Sequence, residues 1–410
     1  MIRFIHAADL HLGRAIRTRG DLPEHMKETI QQATYTSFER IVDQALEWNV
    51  DFVLISGDVY DHEERSLRGQ WFVRKQAKRL EVKGIPLFII HGNHDPLNSN
   101  VVRQNIPANV HIFSQDVEGV PITTKGKDKV YIYGFSYPQK AYYENPIPKY
   151  ERKNDPDSYH IAMLHGQEAG NKEHEPYAPF TLKEVQEKDF HYWALGHIHK
   201  RQTLSPNPPV VYPGNIQGAH RNETGEKGAY LVEMTKVETT MTFLPTNPVQ
   251  WEKITVSIEG LETYDELLEQ LEEELSLKEE NKLFLLDLTI HGSGPLHDIL
   301  LEDSKQDELL TILREEVLET AGWVDRIHVQ TIPVIDRNQL RKQDHLLGDV
   351  VRIVDDFKEK HPEVNVLEQV YGHASLRKYL TPLTEKDVKE IVDEAEMRLL
   401  TPLLRELERQ

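Results

Sequence analysis

The 410-residue sequence contains no cysteine. That absence excludes disulfides, zinc–thiolate sites and thiol nucleophiles, and it suits a reducing compartment. Long apolar runs are missing too: nothing approaches the roughly 20 residues that span a bilayer. Asp9 interrupts the first apolar segment too early for a signal-peptide core, so a cytoplasmic protein with no membrane partner is expected. No G-x-x-x-x-G-K-[ST] occurs, so any dependence on ATP must come from another chain.

A basic excess is also lacking. The net charge is −20, and it is unevenly spread. Residues 1–250 carry 29 Lys/Arg against 31 Asp/Glu, whereas residues 251–410 carry 19 against 37. A polyanion could therefore be met only by the first part, through a local patch, through metal ions or with a partner's help. The acidic second part repels nucleic acid and suits contact with protein.

What is present is a pattern of short apolar strands. They are expected at 2–8, 52–56, 86–91, 130–136, 160–166, 192–197, 210–214 and 229–234. Several are continuous apolar runs, as in strands covered on both faces. Ile30, Phe38, Ile41, Val42, Ala45 and Leu46 recur at helical spacing over 27–48. Over 67–82, Leu67, Trp71 and Leu80 are expected on one packed side, with Arg68, Arg74, Lys75, Lys78 and Arg79 on the surface. The alternation predicts an α/β sandwich, and the late strands without intervening helices make its sheets mixed.

Prolines and asparagine in PTNPVQW, residues 245–251, mark a boundary. Beyond it, strands at 253–258, 283–292 and 326–332 alternate with helices at 263–276 and 307–319, a small α+β module. The remainder is expected to be helical. Thr384 and Asp387 form a capping box ahead of an apolar stripe: Val388, Ile391, Val392, Ala395, Leu399, Leu400, Leu403 and Leu407. The expected division is 1–248, 249–335 and 336–410.

Polar residues crowd the strand ends. HAADLHLG supplies Asp9 and His11, LISGDVYD supplies Asp58, and FIIHGNHD supplies Asn93, His94 and Asp95. MLHG adds His165, and ALGHIH adds His197 and His199. Loops at the carboxyl edge of an open α/β sheet form its usual site, so these groups can converge. Oxygen and imidazole donors without sulfur suit two divalent ions if Asp58 is shared. Such mixed ligation favours Mn²⁺, Fe²⁺ or Zn²⁺ over Mg²⁺. Two ions about 3.5–4 Å apart can activate water against a phosphate.

D-x-H, G-D-x-x-D, G-N-H-D, H-G and G-H-x-H in this order resemble the calcineurin-type metallophosphoesterases over roughly residues 1–235. HAADLHLG, the long gap before GDVYD, and GHIHKRQ followed by VVYPGN resemble the narrower SbcD-type DNA repair nucleases, within which YhaO-type bacterial proteins are most similar. The resemblance implies a metallophosphoesterase sandwich with an α+β capping domain and a helical tail. It assigns one metal to Asp9, His11, Asp58 and His199, and the other to Asp58, Asn93, His165 and His197. His94 would be general acid or transition-state stabiliser, with Asp95 fixing its tautomer.

The implied activity is a Mn²⁺-dependent DNA phosphodiesterase, exonuclease and endonuclease, in double-strand-break repair. Its implied partners are DNA, an SbcC-type coiled-coil ABC ATPase docked on the helical tail, and a second copy bound through helices of the first domain. One departure concerns Asp61, where archaeal relatives carry a second catalytic histidine; neighbouring His62 is the candidate substitute.

Two alternatives stand beside this reading. One is a metallophosphoesterase for small nucleotides or phosphoproteins, which would not need the acidic module and docking helices. The other is a scaffold that kept the fold and lost the chemistry, and such proteins usually lose ligand histidines. Polarity of attack and DNA against RNA stay open. His6, His62, His91, His160, His191 and His220 read as structural histidines, with His220 a candidate for approaching substrate. Tyr60 either packs or touches DNA. Arg14, Arg17, Arg19, Arg65 and Arg68 either form solvated surface or guide phosphate.

Overall fold

The computed structural model describes residues 1–61, 66–98, 105–170, 175–276, 282–319, 322–334, 337–360 and, near the end, 389, 391–393, 395–396, 398–400 and 403. His62, Arg65, Thr384, Asp387, Val388 and Leu407 lie outside the described residues. The chain divides into two compact units. The first comprises Met1–Ile254, Lys278–Asp287 and Arg314–Arg326, and the second Thr255–Leu277, Leu288–Leu313 and Ile327–Gln410.

The first unit is built on strands β1 (Ile2–Ala7), β2 (Phe52–Ser56), β3 (Leu87–Ile90), β4 (Val110–Ile112), β5 (Glu118–Thr123) and β6 (Lys129–Gly134). They are followed by β7 (Tyr159–His165), β8 (Tyr192–Gly196), β9 (Gln202–Pro206), β10 (Pro209–Tyr212), β11 (Gly228–Met234) and β12 (Thr239–Pro245). Two six-stranded sheets result, ordered β12-β11-β1-β2-β3-β4 and β5-β6-β7-β8-β10-β9. The neighbours β1 to β4 are parallel, as are β6, β7, β8 and β10, while β11, β12, β5 and β9 pair antiparallel. Both sheets are mixed, as the strand–helix pattern predicts.

Strand periodicity explains the layering. Phe4, Phe52, Leu54, Phe88 and Ile90 of the first sheet meet Ile132, Ile161, Met163, Tyr192 and Ala194 of the second. Their sequence neighbours Ile5, Ala7, Val53, Ile55, Leu87 and Ile89 point the other way, onto helices α1 (Glu24–Glu47) and α2 (Leu67–Val82). Ala162, Leu164, Trp193 and Leu195 likewise face outward onto Ile147, Phe180, Phe190 and Val185 of helix α3 (Leu182–Glu187). Central strands are thus apolar on both faces, which is why they read as continuous runs.

Helix α2 corrects one expectation. Leu67 and Trp71 are exposed, 64% and 57%, and the buried side is Gly69, Val73, Gln76, Ala77 and Leu80. Trp71 and Leu80 are nine positions apart, two and a half helical turns, so they face opposite ways. Ser66 caps this helix, its hydroxyl accepting from the Gly69 amide at 3.0 Å.

A three-stranded sheet follows, ordered β13 (Val249–Ser257), β14 (Leu283–Ser293) and β15 (Gly322–Ile332). Val249, Trp251, Leu283, Leu285 and Trp323, near the starts of these strands, share a core with Ile16, Leu22, Met26, Ile30 and Ala33. The second unit includes α4 (Tyr264–Ser276), α5 (His297–Leu300), much of α6 (Asp303–Glu319), α7 (Arg337–Lys342) and α8 (Leu346–Lys360). Leu400 of the expected terminal stripe packs on Leu347 and Val351, whereas Ile391 and Leu399 are exposed. Among the described residues no helix is long and apolar enough to cross a membrane.

The two sheets come into close contact where β8 ends. A Cβ on Gly196 would overlap the Ser56 carbonyl oxygen at the end of β2. Gly196→Ala is therefore expected to destabilise the protein by about 1–3 kcal/mol. Urea denaturation reads this as a lowered midpoint; an unchanged midpoint would show that the two strand ends can part freely.

Candidate metal centre

Asp9 and His11 follow β1, Asp58 follows β2, and Asn93 and His94 follow β3. His165 is the last residue of β7, and His197 and His199 follow β8. The structure thus brings all seven expected ligands to neighbouring loops, although up to 190 positions separate them. Asp9, His11, Asp58, Asn93 and His165 are buried, and His94, His197 and His199 are partly exposed.

Three groups have ligand atoms within 4.8 Å of one another: Asp9–His11–His199, His11–Asp58–His94 and Asp9–Asp58–His165. His11 Nε2 lies 3.0 Å from His199 Nε2 and 3.8 Å from Asp58 Oδ2. The same Asp58 oxygen is 3.4 Å from His165 Nε2. Asn93 Oδ1 completes that side, 3.0 Å from His165 Nε2 and 3.2 Å from His197 Nδ1. One carboxylate oxygen therefore stands between two donor clusters, the position a bridging ligand requires.

Tautomers decide what these atoms offer. His11 Nδ1 faces Asp61 Oδ1 at 3.4 Å, and His199 Nδ1 faces Glu223 Oε1 at 2.5 Å. His199 Nδ1 is hydrogen-bonded to a carboxylate and so carries the proton, which leaves its Nε2 lone pair directed at His11 Nε2. A cation between them satisfies both. The residues fit two divalent ions.

Burial pulls the His11 imidazole below its ordinary range, against the pull of Asp61 and Asp58, and so favours the neutral, ligating form. Burial would raise Asp58, but His165, His11 and His94 hold it well below the usual carboxylate range. Burial likewise opposes charge on His165, yet Asp58 and Asp9 together lift its pKa to about 9.

The backbone is bent to present these groups. Asp9, His11, Asp58 and His197 all have positive φ, 51°, 41°, 49° and 99°. A non-glycine residue held there costs on the order of 1–3 kcal/mol, and such strain persists only where its surroundings enforce it. Enforcement is visible: the Asp9, His11 and Leu12 amides donate to the Gly57, Asp58 and Val59 carbonyls at 3.0–3.1 Å. The His197 amide donates to both Asp9 carboxylate oxygens, at 3.0 and 3.1 Å.

One assignment changes. Asp95 was expected to fix the His94 tautomer. Instead its carboxylate accepts from the Val59, Tyr60 and Gly92 amides and meets His91 Nδ1 at 2.8 Å. Successive side chains of this turn point opposite ways, and three buried amides need an acceptor. The Asp61 carbonyl takes the tautomer role, 3.0 Å from His94 Nδ1, while the His94 amide donates to Asp58 Oδ1 at 3.0 Å.

Glu223 is the functional residue that sequence reasoning missed. Burial would raise its pKa, but the His199 hydrogen bond holds it well below the carboxylate range, and the Ala219 amide donates to its other oxygen. An isolated glutamate in a polar loop carries no motif to find it by.

The remaining histidines take the structural places expected. His6 lies between Tyr192 Oη and the Leu195 carbonyl, where burial lowers its pKa to about 3. His160 meets Tyr133 Oη and the Asp155 carbonyl, and His191 Nδ1 accepts from the His160 amide. His220 is half exposed, 3.7 Å from Glu223. Tyr60 is buried and stacks on His91, so it packs.

Comparison with known proteins agrees with this geometry. The calcineurin-like phosphoesterase model matches residues 2–201, and the middle-domain model of metallophosphoesterase YhaO matches 251–332. The chain is 36% identical to the uncharacterized metallophosphoesterase YhaO of Bacillus subtilis, over 97% of both chains. It is 24% identical to the DNA double-strand break repair protein Mre11 of Thermoplasma acidophilum, over 90% of this chain and 98% of that one. The Mre11 of Methanocaldococcus jannaschii is 24% identical over 66% of this chain and 73% of its own. The chain belongs to the calcineurin-like metallophosphoesterases, hydrolases of phosphoesters that depend on divalent metal ions.

His165 must lose its proton before Nε2 can face a cation. With its pKa at about 9, metal affinity is expected to fall up to about tenfold for each pH unit below that value. Calorimetric titration between pH 6.5 and 8.5 reads this; a pH-independent affinity would contradict it. Glu223→Gln is expected to weaken metal binding about 10- to 100-fold through His199. The same titration measures that loss, and wild-type affinity in the variant would remove Glu223 from the site.

Proposed function

We propose that this metallophosphoesterase is a Mn²⁺-dependent DNA nuclease of double-strand-break repair, cutting both at ends and internally, and working with a coiled-coil ATPase. The observation that carries the reading is His94, set with its ring 4.8 Å from that of His11 and its amide on Asp58. An imidazole there reaches a phosphate lying across both donor clusters. The relatives named for double-strand break repair support the choice of DNA, one aligning over nearly the whole chain.

Divalent ions held by the seven ligands supply charge neutralisation for the phosphate and a nucleophile at neutral pH. The chain's own residues do the rest. Asp58 spans the two clusters and keeps their donors in register. The Asp61 carbonyl holds one proton on His94 Nδ1 and so turns Nε2 toward the site, where the imidazolium form would give its Nε2 proton to the leaving oxygen and keep the Nδ1 proton. Asp95 braces the loops after β2 and β3 by bonding amides from both.

In this reading residues 1–248 carry the reaction, 249–335 cap it, and 336–410 dock the ATPase in the cytoplasm, with a second copy joined through helices of the first part. The strongly acidic second part supports a protein-facing role, because it would repel DNA.

A nuclease assay with Mn²⁺ and duplex DNA tests the reading. His94→Ala is expected to lose about 10²–10⁴-fold in rate. Equal activity in both would remove the proposed acid, and an inert wild type would reject the nuclease. Purification of the full chain from cells is expected to recover a long coiled-coil ATPase; its absence would reject the assembly.

A further inference from the structure

Arg14 follows the first metal motif and lies against Asp61, Nε 3.6 Å from Oδ1. That oxygen is also 3.4 Å from His11 Nδ1, so one carboxylate faces both an imidazole ligand and a guanidinium. The arrangement leaves a donor over. Arg14 Nη1 is buried and has no hydrogen-bond partner among the described residues. The side chain as a whole is 26% exposed, so small rotations of its last torsions can present that nitrogen to solvent. An unmet guanidinium donor in a sheltered place is costly, and an anion relieves the cost.

Its position says which anion. His11 directs Nε2 at His199 and Asp58, and Nδ1 at Asp61. The guanidinium therefore meets Asp61 at the Nδ1 edge of the imidazole, the edge opposite the Nε2 that faces His199 and Asp58. An anion lying beyond a phosphate seated on the two donor clusters is the group that this placement suits.

We propose that Arg14 binds the phosphate adjacent to the scissile one, and so selects a polynucleotide chain over a lone phosphoester. This deepens the nuclease reading and rests on it. Asp61 acts as the positioning residue: it fixes the direction of Nε and leaves the other guanidinium nitrogens for substrate. Arginine suits the task better than lysine, since its planar fork can bind a carboxylate and a phosphate at once.

The test uses the full chain, metal-free, and a fluorescent single-stranded oligonucleotide with phosphorothioate linkages, read by anisotropy across a salt series. Arg14→Ala is expected to weaken binding about tenfold or more and to lower the slope of log affinity against log salt by about 0.7, the value of one single-strand phosphate contact. Arg14→Gln, close to arginine in length, serves if the alanine variant fails to fold and should show the same loss. Arg14→Lys should keep the slope and lose part of the affinity.

With Mn²⁺ present, KM for a short oligonucleotide should rise in Arg14→Ala by a clearly larger factor than KM for bis(p-nitrophenyl) phosphate, which has no second phosphate. Wild-type binding with an unchanged slope in the variants overturns this assignment and leaves the nuclease reading intact. An equal loss on both substrates also overturns it, placing Arg14 on the scissile phosphate. If the wild type cleaves the small diester but binds no oligonucleotide, the nuclease reading itself fails.

Discussion

Buried acceptors facing one another are the constraint on which this structure turns. Asp9 and Asp58 are almost wholly shielded from water, and the imidazoles of His11, His165, His197 and His199 gather round them with Asn93. Carboxylates so placed must be paired. His165 pairs with Asp58 through a proton, and the Nε2 atoms of His11 and His199 face each other at 3.0 Å. Divalent cations resolve every one of these oppositions together, which is why the cluster reads as a metal centre rather than a salt-bridge network.

The sandwich exists to hold that cluster shut. Its two sheets bring the carboxyl ends of parallel strands to one edge, and glycine at the end of β8 lets the edges close. Loops leaving β1 and β2 are laced by amide–carbonyl bonds, and Asp95 ties the β2 and β3 loops together. Four ligand residues at positive φ store strain of about 4–12 kcal/mol in total. Rigid, strained loops over a dense core give little freedom to donors, and a site that need not reorganise on loading binds its ions with less loss of entropy.

Much of this was legible in the sequence, for physical reasons. Central strands buried on both faces are apolar runs, so eight of them stood out, and the polar residues ending them had no structural purpose except to converge. The four strands that escaped notice, β4, β5, β9 and β12, are the four sheet edges. Half-exposed, and in places interrupted by proline, they carry little apolar signal. Glu223 itself, and what Asp61 and Asp95 bind, escaped for another reason. Their roles depend on which way a side chain leaves a turn, and no spacing rule encodes that. Trp71 shows the same limit on a helix, where size suggested burial and phase decided against it.

Anomalous diffraction at the manganese edge, from crystals of the full chain grown with Mn²⁺, bears most directly on the central claim. Two peaks about 3.5–4 Å apart are expected, with Asp58 touching both, Asp9, His11 and His199 on one, and Asn93, His165 and His197 on the other. A single peak, or two peaks elsewhere with these side chains turned away, would contradict it.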